Sequence, residues 1–224
     1  LVMREKAFGP RHRDVAESLN NFGMLYADTG RTTQAEDAYK RAIAIIEPAL
    51  GAKHPYLAAV INNLASLYTQ TGRFAEAQPL LDRANLIASG TLAPVHPQIL
   101  ASNNNLAATL LAQGKAAEAE PLLRKTLEGQ EASLGPNHPN IAPTLINLAR
   151  VRTAQGNYAD ALPLYERAIV IERTSLGTDH PIFAQGLRGY AVLLRNLGRG
   201  ADAARADAEA AQVEQRYKAR QTAG

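Results

Sequence analysis

The chain has 224 residues, of which 46% are hydrophobic and 20% are charged, and its formal net charge is +3. This composition can supply a sizeable buried core, and the small positive excess is not the basic stripe of a nucleic-acid-binding protein. Cysteine is absent, which excludes disulfides, thiolate nucleophiles and Cys-based metal sites. From this weak charge we predict no nucleic-acid partner, and because the sequence has no run of roughly 18 apolar residues we predict no membrane span.

The N-terminal residues 1–8 align with residues 43–50, which read as the end of the second helix of a hairpin. The first helix of that hairpin is missing, so we expect the parent protein to extend N-terminally. Any targeting segment would then lie in the missing part, since the early charges Arg4, Glu5 and Lys6 do not fit a signal peptide. The compartment stays unknown, with the cytoplasm slightly favoured.

A repeat of 42 residues then runs through the chain, marked by its histidines. The five repeats start near His12, His54, His96, His138 and His180. Four of these histidines are followed by proline, which suits the first position of a helix. We therefore predict a single array over residues 1–224.

Each repeat reads as two helices, here called the A helix and the B helix. In the second repeat the apolar residues Leu57, Ile61, Leu64 and Tyr68 mark one face of the A helix. Gly72 stands where a left-handed cap ends that helix. The apolar stripe of the B helix is the set Ala77, Leu80, Leu81, Ala84 and Ile87. Because one small hairpin cannot bury both stripes, stacked hairpins should form a solenoid.

These repeats resemble tetratricopeptide repeats, and more closely the kinesin-light-chain-like type. The matching positions of the first repeat are Leu19, Phe22, Gly23, Tyr26, Ala35 and Tyr39. The second repeat matches at Ile61, Leu64, Ala65, Tyr68, Ala77 and Leu81, and the runs at 62–65 and 134–139 carry the kinesin-light-chain character. The resemblance implies an all-α, right-handed α-solenoid of five helix-turn-helix hairpins plus a partial N-terminal helix.

The fifth repeat departs from this pattern. Asp207 stands where the other repeats carry Tyr39, Leu81, Leu123 and Tyr165. Its B helix is rich in Ala, Asp, Arg and Glu, as suits a terminal repeat with a solvent-facing side. We predict a C-terminal capping helix over 200–220, where the array ends.

No residue pattern points to catalysis, a cofactor or a metal. The sequence lacks a Gly-x-Ser-x-Gly elbow and a phosphate-binding Gly-x-x-x-x-Gly-Lys loop. Equivalent histidines of stacked repeats would lie about 10 Å apart, too far to share a metal. We expect each histidine to bond to the preceding loop and to set the turn before proline.

The candidate binding residues are asparagines in the middle of the A helices. They follow the first four histidines by eight or nine residues: Asn20, Asn21, Asn62, Asn63, Asn104, Asn105 and Asn147. Asparagine is a mediocre helix former, so this concentration needs a reason. By resemblance, this face lines a concave groove whose carboxamides bond the backbone of an extended peptide; a bridging role between neighbouring A helices is compatible with that.

Arginines replace this pattern towards the C-terminus. Arg150, Arg188 and Arg195 share the predicted groove face, whereas the first repeat places Glu17 and Asp28 there. An acidic partner segment could therefore bind at the C-terminal end. The sequence thus predicts a scaffold or adaptor for a protein or peptide partner; the alternative is a structural or self-association module of a larger protein.

Overall fold

The computed structural model describes residues 1–93, 96–175 and 181–222, which form eleven α-helices and no strand. Its helices are α1 (Val2–Phe8), α2 (Arg13–Asp28), α3 (Thr32–Leu50), α4 (Pro55–Gln70), α5 (Phe74–Ser89), α6 (Pro97–Ala112), α7 (Ala116–Leu134), α8 (Ala142–Ala154, after a 3-10 turn at Pro139–Ile141), α9 (Tyr158–Ser175), α10 (Pro181–Asn196) and α11 (Gly200–Thr222). The predicted all-α repeat fold is confirmed. His180, the expected start of the fifth repeat, lies outside the described residues.

The chain divides into two compact units. Unit 1 is Leu1–Gln113 and contains α1 to α6; unit 2 is Gly114–Gly224 and contains α7 to α11. The A helices are α2, α4 and α6 in unit 1, and α8 and α10 in unit 2. The third repeat thus supplies its A helix to unit 1 and its B helix, α7, to unit 2.

The core of unit 1 follows the apolar stripes that the sequence predicts. Helix α2 packs on α3, α4 packs on α5, and α4 also contacts the next A helix, α6. All four residues of the predicted α4 face are buried: Leu57, Ile61, Leu64 and Tyr68. On α5 the residues Ala77, Leu81, Ala84 and Ile87 are buried and Leu80 is half-buried. The two helices therefore meet through their predicted stripes.

The core of unit 2 is built in the same way. Helix α8 packs on α9, α10 packs on α11, and α9 contacts α10. Tyr165 of α9 and Phe183 of α10 are its largest fully buried side chains. One of its buried residues is an acid: the Glu172 side chain of α9 is 0% exposed, and neither of its oxygens has a hydrogen-bond partner.

The four histidines that the structure describes cap the start of their A helices. The Nδ1 atom of His54 accepts a hydrogen bond from the backbone N–H of Tyr56 at 3.1 Å. His12, His96 and His138 accept the same bond at 3.2 Å. The expected bond to the preceding loop is also present, because the backbone N–H of His54 donates to the backbone oxygen of Gly51 at 3.2 Å and the other three histidines bond to their loops in the same way. The side-chain bond adds a partner for a first-turn N–H that has none within the helix. At the other end, Gly72 takes the positive φ of 76° that the sequence predicts.

Ion pairs join neighbouring B helices at one repeated register. In unit 1, Arg41 pairs with Glu5 at 2.9 Å and Arg83 pairs with Glu47 at 2.5 Å. In unit 2, α9 makes this contact with both of its neighbouring B helices: Arg167 pairs with Glu131 of α7, and Arg173 pairs with Glu209 of α11. The last pair has the opposite polarity, with the arginine on the preceding helix.

Candidate functional site

The asparagines of unit 1 are joined in pairs across neighbouring A helices. Asn63 of α4 donates from Nδ2 to Oδ1 of Asn20 on α2 at 3.0 Å. Asn105 of α6 donates in the same way to Asn62 of α4 at 3.1 Å. Each bond links the ninth residue after one histidine to the eighth residue after the histidine before it. The bridging role that the sequence left open is therefore present in unit 1.

The members of each pair differ in burial. Asn20 and Asn62 are each 8% exposed, whereas Asn63 and Asn105 are only half-buried. A neutral carboxamide has two N–H donors and an oxygen that can accept two bonds. The interhelical bond uses one donor of Asn63 or Asn105, which leaves the oxygen and the second donor on the more exposed partner. The buried asparagines thus orient the half-buried ones, a division of roles that the sequence alone did not reveal.

The other two asparagines of unit 1 have different surroundings. Asn21 is exposed at the surface of α2. Asn104 is half-buried and donates to the backbone oxygen of Leu100 at 3.1 Å, one turn back on α6. We call the six residues Asn20, Asn21, Asn62, Asn63, Asn104 and Asn105 the asparagine row. The structure brings the row together on three packed A helices of unit 1.

In unit 2, Asn147 lies next to Arg150 on α8. Arg150 donates from a guanidinium N–H to Oδ1 of Asn147 at 3.3 Å, and both side chains are half-buried. At the equivalent position of α10 the residue is Gly189. A Cβ atom there would lie 2.6 Å from the hydroxyl oxygen of Tyr165, so no asparagine fits without a shift. The buried tyrosine therefore explains why the pattern ends after Asn147.

The two arginines of α10 are engaged by carboxylates of α11. Arg188 makes two bonds to Glu214, at 2.8 and 2.9 Å, and Arg195 pairs with Asp207. Both arginine side chains are about half exposed, 50% and 53%. Sequence reasoning missed both partners, although Asp207 at an apolar register was the available indication. A ligand carboxylate would have to exchange with these groups.

The polar side chains of the described residues were also compared with the requirements of a metal site and of a membrane span. Within them, no group of three or more His, Cys, Asp or Glu side chains could hold a metal ion. The same part of the chain contains no helix with the length and apolar character that a membrane crossing requires. The arrangement provides carboxamide and guanidinium groups for hydrogen bonding.

Several solved structures are similar to this chain. A Podosopora anserina protein described as a kinesin light chain with nearly identical TPR-like repeats is 27% identical, with a TM-score of 0.68 over 91% of this chain and 96% of that chain. BtubC (BKLC) from P. vanneervenii is 20% identical, with a TM-score of 0.70 over 91% of this chain and 81% of that chain. A Rap protein complexed with competence and sporulation factor is 15% identical, with a TM-score of 0.75 over 97% of this chain and 62% of that chain. The last two likenesses concern the fold alone.

Sequence comparison gives the family. No curated protein sequence matches the chain. The sequence profile described as tetratricopeptide repeat matches residues 1–47, 14–84, 98–171 and 144–222, which together span most of the chain. Such repeats generally serve as protein–protein interaction modules, and folds of the kinesin-light-chain-like type are non-catalytic scaffolds. On this evidence the chain belongs to the tetratricopeptide repeat family.

Proposed function

We propose that this protein is a scaffold that binds an extended segment of a partner protein in a groove lined by the A helices α2, α4 and α6 of unit 1. The observation that carries the proposal is the pairing of Asn63 and Asn105 with buried asparagines of the preceding A helix. A side chain that is held before binding loses less conformational entropy when the ligand arrives. The asparagine row is therefore the contact surface that we assign to the partner.

The remaining polar groups of Asn63 and Asn105 suit a peptide backbone. Their oxygens can accept from ligand N–H groups, and their second N–H groups can donate to ligand carbonyls. Neighbouring packed helices lie about 8–10 Å apart, and an extended chain advances about 3.3 Å per residue. Equivalent asparagines on adjacent A helices would thus meet about every third residue of the ligand. Such contacts read the backbone and require little of the ligand sequence.

The arginines of unit 2 would favour an acidic residue in a partner segment that binds on unit 2. Arg150 bonds to a neutral carboxamide, Asn147, whereas Arg188 and Arg195 already have carboxylate partners. A ligand carboxylate gains a charge-assisted bond at Arg150 without displacing another anion, so we assign Arg150 the larger share of this preference. Exchange with Glu214 or Asp207 at the other two arginines would bring little net gain.

Affinity measurements on variants of the asparagine row test the proposal. Random peptides of about 12 residues are selected by display on the full chain, and a selected peptide is titrated by calorimetry. Each lost neutral hydrogen bond is worth about 0.5–1.5 kcal/mol, so Asn63→Ala with Asn105→Ala should weaken binding about tenfold or more. The matched control is Asn137→Ala, an exposed asparagine outside the row, which should bind as the original chain does.

The structure also predicts that the double variant loses stability. Removing Asn63 and Asn105 leaves the buried oxygens of Asn20 and Asn62 unbonded, which costs about 1–3 kcal/mol each. The titration is therefore done well below the melting temperature of the variant, with helicity checked by circular dichroism. Equal affinity of the folded variant and the original chain would contradict the proposal. Light scattering would also contradict it if the chain were a dimer that the peptide dissociates, and not a monomer that binds the peptide.

A further inference from the structure

A cavity of about 330 Å³ lies within unit 2, between α9, α10 and α11. Its floor is apolar and consists of buried Ile169, Leu187, Leu194 and Ala206. Val170, which is 61% exposed, continues the apolar surface at the edge. None of the residues that line the cavity belongs to the asparagine row or is Arg150, Arg188 or Arg195. The cavity is therefore separate from the proposed peptide site.

The cavity coincides with a change of residue at one repeated register of the B helices. The position of Ala206 is occupied by Leu80, Leu122 and Leu164 in the second, third and fourth repeats, and by Ala38 in the first. Leu80 and Leu164 are half-buried and pack against the hydrophobic clusters of their own units. At Ala206 the isopropyl group of such a leucine is missing. The apolar space beside Ile169, Leu187 and Leu194 would therefore suit a leucine side chain, which this chain does not supply.

The rim of the cavity carries three arginines and three carboxylates, and Arg205 is the arginine with the longest ion pair. On α11, Asp202 bonds to Arg199 at 2.9 Å, and Arg205 lies 3.6 Å from the same carboxylate. Glu166, which also lines the cavity, adds a second carboxylate near Arg199, whereas Arg205 has only the longer contact to Asp202 and its side chain is 82% exposed. At the far end of the cavity Arg173 and Glu209 neutralise each other at 2.7 Å. Arg205 is the rim cation best able to accept a new anionic partner.

We propose that this cavity binds a leucine-like aliphatic side chain that has a carboxylate next to it, as the C-terminal leucine of a partner polypeptide does. The side chain fills the space above Ile169, Leu187 and Leu194, and the carboxylate pairs with Arg205. The volume is at the lower end of the range for small-ligand sites, which suits one residue better than a cofactor. Burial of the isopropyl group supplies the affinity, and the guanidinium fixes the orientation of the carboxylate.

Three small probes separate the two parts of the proposal: N-acetyl-leucine, N-acetyl-alanine and N-acetyl-leucinamide. Each is titrated into the full chain with labelled methyl groups, and the NMR signals of Ile169, Leu187 and Leu194 are followed. N-acetyl-leucine should saturate these signals with a Kd in the millimolar range, as is usual for a ligand of about a dozen heavy atoms. N-acetyl-alanine should bind at least about tenfold more weakly because it lacks the isopropyl group. N-acetyl-leucinamide should bind several-fold more weakly because it lacks the carboxylate.

Two variants and one control complete the test. Ala206→Leu fills the cavity from within and should abolish binding of N-acetyl-leucine, whereas Ala208→Leu at an exposed position of the same helix should leave it unchanged. Arg205→Gln should remove the preference for N-acetyl-leucine over its amide, a result that does not depend on the folding of Ala206→Leu. The proposal is overturned if the original chain shows no saturable shift at these methyl groups, if Ala206→Leu binds equally well, or if acid and amide bind alike.

Discussion

The buried carboxyl group of Glu172 should make the stability of unit 2 depend on pH. Its side chain is 0% exposed and neither oxygen is hydrogen-bonded. A Cβ atom on Gly186 of α10 would lie 3.2 Å from one of these oxygens, so α10 packs closely on the group. The equivalent residue of α7, Gln130, donates from Nε2 to the backbone oxygen of Asn140 at 2.9 Å. A carboxylate has no such donor, so this environment favours the protonated acid.

Desolvation raises the pKa of Glu172 from 4.5 to about 7. At pH values below 4.5 the group is protonated in both the folded and the unfolded chain, and the burial costs nothing through ionisation. Between pH 4.5 and 7 only the unfolded chain releases the proton, so the free energy of unfolding falls as the pH rises. Above pH 7 the full loss is present. One pKa unit corresponds to about 1.4 kcal/mol, which gives a total loss of about 3 kcal/mol.

The substitution Glu172→Gln removes this titration and keeps the shape of the side chain. Urea unfolding followed by circular dichroism gives the free energy of unfolding of both proteins at pH 4.5, 6, 7 and 8. The advantage of the variant over the original chain should grow by about 3 kcal/mol from pH 4.5 to pH 8. The cost of burying the amide is the same at every pH and cancels, as does the titration of the histidines. The matched control is Glu128→Gln on the exposed surface of α7. A difference between the two chains that stays constant with pH would refute the reasoning.

Three further substitutions test other contacts of the fold. His54→Ala should lower the free energy of unfolding by about 1 kcal/mol, and His54→Asn should preserve it, because asparagine also caps a helix. Gly189→Ala should cost about 1–3 kcal/mol, because its methyl group meets the buried Tyr165 hydroxyl. Glu36 bonds to Arg73 at 2.5 Å, and this bond lowers the pKa of the Glu36 carboxyl group to about 2. The stability that the pair adds above pH 4.5 should therefore be lost as the pH falls towards 2. The expected loss is about 1–2 kcal/mol after solvent screening. Urea unfolding measures the first two, and acid titration of original chain and Glu36→Gln measures the third.

For each of the three substitutions one result would contradict the stated physical reason. Equal stability of His54→Ala and the original chain would show that the imidazole bond does not stabilise α4. A neutral effect of Gly189→Ala would mean that Tyr165 moves aside at no cost. Parallel acid-unfolding curves for Glu36→Gln and the original chain would remove the assigned role of the Arg73 pair.

Repetition made the fold predictable. The 42-residue spacing and the apolar positions of the second repeat anticipated the helices α4 and α5 and their buried faces. The left-handed glycine at Gly72 was also predictable, because few other residues tolerate its φ of 76°. Such features depend on local spacing and on steric limits, which one sequence records directly.

The contacts of the candidate site were less accessible. The spacing showed that Asn20 and Asn63 fall on one kind of helix face, but not that one buries and orients the other. Arg188 and Glu214 are 26 residues apart, and their pairing depends on how the long helix α11 lies on α10. The cavity at Ala206 likewise follows from packing at a register where one side chain is shorter than in three other repeats. Side-chain partners across helices are set by tertiary packing, which a single sequence does not fix.

The central claim is that Asn63 and Asn105 contact the backbone of a bound peptide while Asn20 and Asn62 hold them in place. The most direct measurement is the NMR signal of the side-chain amide groups, assigned by substitution and followed during titration with a peptide selected on this chain. The Nδ2 signals of Asn63 and Asn105 should shift and saturate with the affinity measured by calorimetry, while the Asn137 signal should stay in place. Saturable binding that leaves the amide signals of Asn63 and Asn105 unchanged would contradict the claim, and the asparagine row would then serve only to join neighbouring helices.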